Sequence, residues 1–454
     1  MRFRLYRAWP HKPLASVFVV ALAATLLEQF CLAAPAAAAD IASTGDAIAT
    51  PIGPLLDIAL QHNPDVAAAR AEADAAAQRI APAAALEDPM LEIGIVNAPL
   101  PVSLRRDDMT MKMLGLTQKL PFPGKRELRR HVAAADAQSI SLAVDETVNR
   151  VTRDVRVAYE ELRLTLNSRE LVAETIETLH QLVNIAQLRY AVGQATQSDS
   201  LQAQIQVVRM QQEQLRLAEE ETAHRSELQR LLGSTDDRAM LITPTAATLL
   251  TAPLKAESLQ DEALDQRPQL KSLAALVDKS DRALDLARRD YYPDFEVRFN
   301  YGQRERSLDG VPRDDMVTLT VAVNLPVWRK NRLEPRVAEA SAMRREAISM
   351  AQSQRLETRA ALQRAISKEQ QQRQSASLYH STLRPQTAAA FDSALAAYQV
   401  GRVDFLTLLE ARMRTYETAL GEADAVASHN KAVVEIEFLT GHAPGTVSLE
   451  HRPL

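Results

Sequence analysis

Three methionines stand at alternate positions in one short stretch of the sequence, Met109, Met111 and Met113. A thioether is a soft ligand that suits Cu(I), so a β-strand that presents all three on one face could offer successive weak contacts to a soft metal ion. Methionine is also a flexible apolar residue that fills irregular space. We favour space filling, because no histidine or cysteine stands beside the three.

No catalytic or cofactor-binding motif accompanies these methionines. The nine histidines are scattered and never occur at His-x-x-x-His spacing, and no glycine-rich loop is present to hold a phosphate. The only cysteine is Cys31, and the net charge of −5 argues against a nucleic-acid binder. The residues therefore predict neither an enzyme nor a bound cofactor.

The first 39 residues are predicted to form an export signal. Basic residues at the start precede an apolar run over 14–27, which is too short to span a bilayer, and the alanines at 36–39 offer a cleavage site. A short membrane anchor is the alternative, but no stop-transfer flank follows. Cys31 lies at the end of this segment without the small apolar residues that precede a lipidated cysteine, so we favour a mature chain that has no cysteine.

The most extensive feature of the sequence is its internal duplication. Ala59–Pro64 returns as Ala263–Pro268, and Asp88–Ile93 returns as Tyr292–Val297, both about 204 positions later. Further matches join Lys119–Pro121 with Asn324–Pro326, Lys125 with Lys330, Tyr190–Gly193 with Tyr398–Gly401, and Leu231–Gly233 with Leu439–Gly441. Duplication of this length indicates one architecture built twice. The predicted organisation is a signal peptide (1–39), an N-terminal segment (40–54), a first repeat (55–233), a linker (234–258), a second repeat (259–441) and a C-terminal tail (442–454).

Each repeat is predicted to begin with one helix, over 55–86 and 259–290, and to continue into two antiparallel strands. The strand residues alternate between two faces, and Leu91, Ile93 and Ile95 occupy the apolar one. In the next strand, Met113 is predicted to lie on the polar face. Apolar-out, polar-in strands of about ten residues are typical of a membrane β-barrel, although a half-buried soluble sheet shows the same alternation. Aromatic residues suited to a membrane interface lie at the strand ends, namely Phe122, Tyr291, Tyr292, Tyr301 and Trp328.

Very long helices follow the strands. No proline or glycine occurs over 125–192, so a helix of about 65 residues, roughly 100 Å long, is predicted there. The corresponding segment 332–400 contains Pro335 near its start and Pro385 late, and Pro385 predicts a kink or a break there. Apolar residues in these segments recur alternately three and four positions apart, and this spacing indicates coiled-coil packing.

Turn residues indicate that each long helix reverses in a tight helical hairpin. Gly193 and Gly401 suit the left-handed conformation that ends a helix. Thr196 with Asp199 predicts a capping box at the start of the returning helix, and Asp404 is the corresponding cap in the second repeat. These residues define the predicted hairpin tips.

With this order of elements, the chain resembles the outer-membrane efflux protein family, the TolC-like exit ducts of tripartite export pumps. The resemblance covers 55–441 and is carried by the duplication, the two strand pairs and the repeated Tyr-x-x-Gly. Leu120–Arg126 is similar to the strand-to-helix junction of members that serve heavy-metal efflux pumps.

The resemblance implies a mainly α fold with β, in which each chain of a homotrimer contributes four strands to a twelve-stranded membrane barrel and long helices to a periplasmic α-barrel. It places the protein in the outer membrane of a Gram-negative bacterium, in contact with lipid. It implies no enzymatic activity and no cofactor. Its implied partners are a periplasmic adaptor protein and an inner-membrane RND-type pump, and its cargo is a heavy-metal cation or, as the alternative, a drug or another exported compound.

The resemblance also implies a gate near the second hairpin tip. Glu410 stands where the family places a carboxylate ring at the periplasmic entrance, with Arg402 and Asp404 close by, whereas Thr407 replaces a second acid common in the family. An ordinary solvated helix face is the alternative for Glu410, and a helix cap for Asp404. A periplasmic adaptor or structural protein with a coiled-coil hairpin is the alternative for the whole chain.

Overall fold

A computed structural model of the protein describes residues 49–234, 243–245, 249 and 256–441. The chain divides into two units, Met1–Asp46 and Ala47–Leu454, and every element described below belongs to the second. The predicted signal peptide with Cys31, the tail and most of the linker lie outside the described residues.

Helices dominate the described part of the chain, as predicted for a mainly α fold with β. The first half of the chain contains β1 (Ala49–Thr50), α1 (Ile52–His62), α2 (Pro64–Gln78), α3 (Ile80–Ala84), β2 (Met90–Val96), β3 (Met111–Leu120), α4 (Lys125–Ala191) and α5 (Gln197–Leu232). The second half contains β4 (Thr243–Pro244), α6 (Ala256–Gln266), α7 (Pro268–Arg289), β5 (Phe295–Gln303), β6 (Met316–Val323), α8 (Glu334–Leu378), α9 (Arg384–Gln399) and α10 (Phe405–Thr440).

The prediction of one continuous helix at the start of each repeat is wrong. The first is divided before Pro64 and the second before Pro268, because a proline disfavours helical geometry in the residue that precedes it. Asn63 accordingly has an extended ψ of 125°, and its side chain accepts hydrogen bonds from the backbone of Asp65 (2.8 Å) and Val66 (3.3 Å). Each proline then begins the next helix, where its missing N–H costs nothing.

The long helices follow the prediction closely. α4 is a single helix of 67 residues, about 100 Å at 1.5 Å per residue. Its counterpart is interrupted by a π turn at Tyr379–Leu383, and the helix that follows has Pro385 as its second residue. Since Pro385 has no N–H to continue the ladder, the predicted break at this site is confirmed. A second π turn, Arg329–Leu333, precedes α8.

The four longer strands form one antiparallel sheet in the order β2-β3-β5-β6. One row across it is Leu91, Leu116, Phe299 and Leu319, so the apolar positions of all strands share one face. The two outer strands, β2 and β6, have no further neighbour among the described residues. β1 and β4 form a separate parallel pair.

The pairing register corrects the repeat alignment within the strands. Leu91 pairs with Leu116, whereas Val297 pairs with Val321. With β3 and β6 aligned through Leu120 and Leu325, Leu91 therefore corresponds to Val297, 206 positions away. The predicted spacing of about 204, taken from the shared prolines, misplaces the first strands by two residues but preserves their faces.

The apolar core lies between the helices. One cluster joins α1 with α4 and α5 through residues such as Leu55, Leu162 and Leu231. A second cluster joins both helical hairpins near their tips, where Leu182 of α4 and Leu408 of α10 are fully buried. The two repeats are therefore packed together along α4 and α10.

Candidate functional sites on the sheet and at the helical tips

The apolar face of the sheet is its exposed face. Ile93 is 79% exposed and Leu319 69%, whereas Thr117, on the polar face, is 4% exposed. This inverts the arrangement of a sheet that packs its apolar face against a core. A contiguous exposed apolar surface of this kind marks contact with a membrane or with another protein.

The polar face carries charged and amide side chains, some of which interact with each other. Glu296 pairs with Arg298 at 3.0 Å, and Asn300 lies opposite Gly115 and Thr318. The polar face therefore carries groups that water can solvate.

The three methionines do not form one ladder. Met111 and Met113 lie in β3 on the polar face, but Met109 lies in the preceding turn, so its placement in the strand is wrong. Its backbone N–H donates to the carboxylate of Asp107 at 2.8 Å and forms an Asx turn. The strand begins only after this turn, at Met111. Met111 packs over Gly302, in the space that a Cβ would take. These positions favour space filling, and no cluster of three or more His, Cys, Asp or Glu within the described ranges is suited to hold a metal ion.

A buried lysine joins the two repeats where β3 passes into α4. The ammonium of Lys125 donates to the carboxylate of Asp294 and to the carbonyl of Tyr292, both at 2.9 Å, and its side chain is 3% exposed. The backbone N–H of Phe122 donates to the same carboxylate at 2.8 Å. Burial opposes the effect, but these hydrogen bonds hold the pKa of Asp294 below its usual range. The sequence alignment showed that Lys125 recurs, but not what it binds.

Aromatic residues gather around the same junction. The rings of Phe122 and Tyr292 stack at 4.7 Å, and the guanidinium of Arg289 lies 5.2 Å and 5.0 Å from their centres. Tyr291 is half-buried, whereas Trp328, at the other junction, is 70% exposed. Two of the five aromatic residues predicted for the interface, Phe122 and Tyr292, are therefore in direct contact here.

The tip glycines adopt the left-handed conformation that Tyr-x-x-Gly predicts, with φ of 74° at both Gly193 and Gly401. After the first, the N–H of Gln194 bonds the carbonyl of Arg189 at 2.8 Å. After the second, the N–H of Arg402 bonds Ala397 at 2.9 Å. Both bonds complete a Schellman motif, so the helices end in the same way in both repeats.

The two returning helices are capped differently. Thr196 precedes α5, but its hydroxyl donates to the carboxylate of Asp199 at 2.7 Å, so the predicted capping box does not form. A charge-assisted bond to the carboxylate replaces the bond to the backbone. Asp404 does cap α10, accepting from the N–H of Thr407 at 3.0 Å and from its hydroxyl. These two bonds hold the pKa of Asp404 below its usual range.

An arginine connects the two tips, a contact that the sequence analysis missed. The guanidinium of Arg189 donates to the carbonyl of Tyr398 and lies 4.6 Å from the centre of its ring. That ring meets Phe405 edge to face at 5.5 Å. Tyr398 is 3% exposed, whereas its repeat counterpart Tyr190 is 52% exposed. Burial, with the nearby negative charge of Asp199, raises the pKa of Tyr398.

The proposed gate residues lie on the solvent side of the second tip. Glu410 is exposed, and its carboxylate lies 3.9 Å from the guanidinium of Arg414, one turn later. Arg402 is exposed and forms no ion pair with any residue that the structure describes. A ring of Glu410 side chains would therefore carry a partly compensated charge.

A buried polar layer between α4, α8 and α10 also went unpredicted. His429 and Glu369 are both fully buried, with the imidazole 3.6 Å from the carboxylate. Nearby, Glu160 accepts from Arg163 and from Asn430, the latter at 3.3 Å. Burial raises the pKa of Glu160 in spite of these partners. The adjacent His429 and Asn430 in the apolar run of α10 were the available signal.

Comparisons with known proteins agree with this architecture. The model of a protein family described as outer membrane efflux protein matches residues 55–234 and 259–442. No helix in the described part of the chain is both long and apolar enough to cross a membrane.

Solved structures share the fold at low sequence identity. The outer membrane protein VceC of Vibrio cholerae is 18% identical, with a TM-score of 0.74 over 86% of this chain and 96% of that one. The CmeC outer membrane channel of Campylobacter jejuni is 14% identical, with a TM-score of 0.74 over 86% and 85%. CusC, described in terms of transmembrane channel formation, is 16% identical, with a TM-score of 0.74 over 87% and 93%. Among curated proteins, none matches the sequence.

Proposed function

The chain belongs to the outer membrane efflux protein family, and from this premise we propose that three copies form an export channel in the outer membrane of a Gram-negative bacterium. Proteins of this family, including the solved channels, are not enzymes. The proposed activity is therefore passage of a cargo through the assembly without chemical change.

The single observation that carries this proposal is the inverted sheet. Its apolar face is exposed, its polar face buries Thr117 in the central strand β3, and its outer strands β2 and β6 lack neighbours among the described residues. Four strands cannot close on themselves, since membrane barrels have at least about eight, but three copies would supply about twelve. Closure would place the apolar faces against lipid and the polar faces around the cargo. Phe122, Tyr291, Tyr292 and Trp328 would then lie near the membrane interface.

We place the partner proteins at the helical tips. α5 carries exposed apolar residues at coiled-coil spacing, Leu201, Ile205, Val208 and Leu215. Such helices can extend their packing to further helices, so a periplasmic adaptor would dock at the hairpins that end in Gly193 and Gly401. An inner-membrane RND-type pump would deliver the cargo, and Glu410, with Arg402 and Asp404, would line the periplasmic entrance.

We propose heavy-metal cations as the cargo, because Leu120–Arg126 is similar to the junction of metal-exporting members. The contacts of this segment in the structure are structural, as at Lys125 and Phe122, so they do not discriminate between cargoes. Drug export is the alternative within the same family. A periplasmic adaptor is disfavoured, because it would leave the apolar face of the sheet in water.

The test combines location with sensitivity. A strain that lacks the gene should become sensitive to copper, silver, zinc, cobalt or cadmium, and the protein should be recovered from outer membranes only with detergent. Sensitivity to drugs alone would replace the metal cargo with the alternative. Recovery as a soluble periplasmic protein would refute the channel.

Two adjacent substitutions in β6 provide a matched pair for the same strain. Leu319→Arg places a charge on the apolar face, at a cost of about 2–4 kcal/mol near the middle of a membrane. Thr320→Arg places the same charge on the polar face, where it meets water. The channel proposal requires loss of insertion and export for Leu319→Arg, with insertion retained for Thr320→Arg.

A further inference from the structure

The ion pair of Lys125 with Asp294, called the clamp below, joins the first repeat to the second. The lysine begins α4 directly after β3, and the aspartate directly precedes β5, the strand that pairs with β3. The ammonium and carboxylate are 2.9 Å apart, with the lysine side chain 3% exposed. The clamp therefore fastens the helical end of one strand to the start of its neighbour.

The second repeat contains the same lysine without its acid. Lys330 corresponds to Lys125, because Leu120-Pro121 corresponds to Leu325-Pro326. Lys330 is exposed and forms no ion pair with any residue that the structure describes. The apolar residues that precede it, Leu325, Val327 and Trp328, are also exposed. Their counterparts Leu120 and Phe122 are half-buried.

The strand register identifies the acid that corresponds to Asp294. Leu91 corresponds to Val297, and Asp88 stands three residues before Leu91, as Asp294 does before Val297. Asp88 is exposed, and within the described ranges it forms no ion pair. The spacing of about 204 would align Asp294 with Met90 instead, whereas the alignment by register also sets a carboxylate opposite the ammonium of Lys330. Charge complementarity therefore supports it.

Asp88 and Lys330 of one chain cannot meet across the sheet. Asp88 precedes β2 and Lys330 follows β6, and these are the two edges of the four-stranded sheet. Three strand spacings separate the edges, about 14 Å at roughly 4.8 Å per strand. The same groups on two copies would meet if β6 of one copy paired with β2 of the next.

We propose that Lys330 of one copy binds Asp88 of the next copy, which repeats between chains the clamp that Lys125 and Asp294 form within one. The inference rests on the proposed assembly of three copies and specifies its interface. The internal pairing of Leu116 with Phe299 then sets Val321 of one copy opposite Ile93 of the next. The contact is head to tail, and a head-to-tail contact leaves no free strand edge when the rotation between copies closes a ring of three. The exposed Leu325 to Trp328 segment becomes covered in the same contact.

Crosslinking tests the predicted neighbours directly. Two tagged chains, one carrying D88C and the other K330C, are co-expressed in a Cys31→Ser background and treated with a short bismaleimide. The proposal predicts mixed dimers that carry both tags, and no dimers when either variant is expressed alone. D107C, in the loop at the opposite end of β2, replaces D88C as the control and should give no mixed dimers with K330C. Dimers of D88C with itself, or mixed dimers in the D107C control only, would overturn the proposal.

Charge reversal tests the energy of the contact. K330D and D88K should each raise the dissociation constant of the oligomer in detergent at least about tenfold, equivalent to about 1.4 kcal/mol. The double variant D88K/K330D should recover most of the loss. K112D, which reverses a charge paired with Glu305 at 2.7 Å inside one chain, is the control and should leave the oligomer intact.

The outcomes separate this inference from the proposed function. If the unaltered chain forms no oligomer in detergent or in membranes, the proposed assembly fails and the clamp between copies fails with it. If the oligomer forms and exports cargo but D88C and K330C do not crosslink, only the clamp between copies is overturned. Normal circular dichroism of each variant is required, so that a folding defect is not counted as support.

Discussion

Replacing Lys125 with methionine should destabilise the protein by about 2–3 kcal/mol. The substitution retains the apolar stem and removes a hydrogen bond to a carboxylate, about 1.5–3 kcal/mol, and one to a carbonyl, about 0.5–1.5 kcal/mol. Asp294 keeps the N–H of Phe122 and is 38% exposed at its side chain, so water partly replaces the ammonium. The loss should therefore remain below the roughly 3–5 kcal/mol expected for breaking a fully buried pair.

The assay is urea unfolding in detergent, followed by the circular dichroism of the helices. Lys119→Met is the matched control, because it removes the same group from an exposed pair with Glu87 at 3.1 Å. Exposed pairs contribute at most about 1 kcal/mol. A double-mutant cycle of Lys125→Met with Asp294→Asn should give a coupling free energy of about 1–2 kcal/mol.

The pH dependence has a defined sign. Because the folded pKa of Asp294 is depressed, the stability it contributes is present above the ordinary aspartate pKa of 3.8 and is lost as the pH falls through the lower folded value. The difference between the unaltered protein and Lys125→Met should therefore shrink in acid. Equal effects of Lys125→Met and Lys119→Met at neutral pH would refute the reasoning, since burial would then add nothing to the ion pair.

Three further predictions concern the tips, the buried polar layer and the sheet. Gly193→Val and Gly401→Val should each cost on the order of 1 kcal/mol at a positive φ and impair export with insertion unchanged; normal resistance in both would remove the tips from the mechanism. The raised pKa of Glu160 means that the stability this group contributes is full below its ordinary value of 4.5 and is lost as the pH rises through the higher folded value. Glu160→Gln should therefore reduce the loss of stability that occurs as the pH rises above 4.5, and an unchanged slope would contradict the shift. Met111→Leu with Met113→Leu should leave copper and silver resistance unchanged at normal expression, whereas lost resistance would restore a role for the sulfurs.

Local features of the fold could be read from the sequence because a few neighbouring residues decide them. The absence of proline and glycine over 125–192 predicts the uninterrupted α4, and Pro385 predicts its interrupted counterpart. The positive φ of Gly193 and Gly401 follows from Tyr-x-x-Gly at a helix end. The apolar alternation of the strands needed only a period of two. The same local reasoning missed the breaks before Pro64 and Pro268, the prolines that begin α2 and α7, although each proline disfavours helical geometry in the residue before it.

Tertiary structure decided what depends on residues far apart in the chain. Tyr190 and Tyr398 stand in the same motif, yet only Tyr398 is buried, since Arg189 and Phe405 cover it. Lys125 is buried because Asp294, 169 residues away, accepts its hydrogen bond, and the sequence contains no sign of that pairing. The duplicated sequence is nearly symmetric in these positions, but a single chain has one interface between its first and second repeats. Each motif is therefore buried once within the chain, and its counterpart stays exposed.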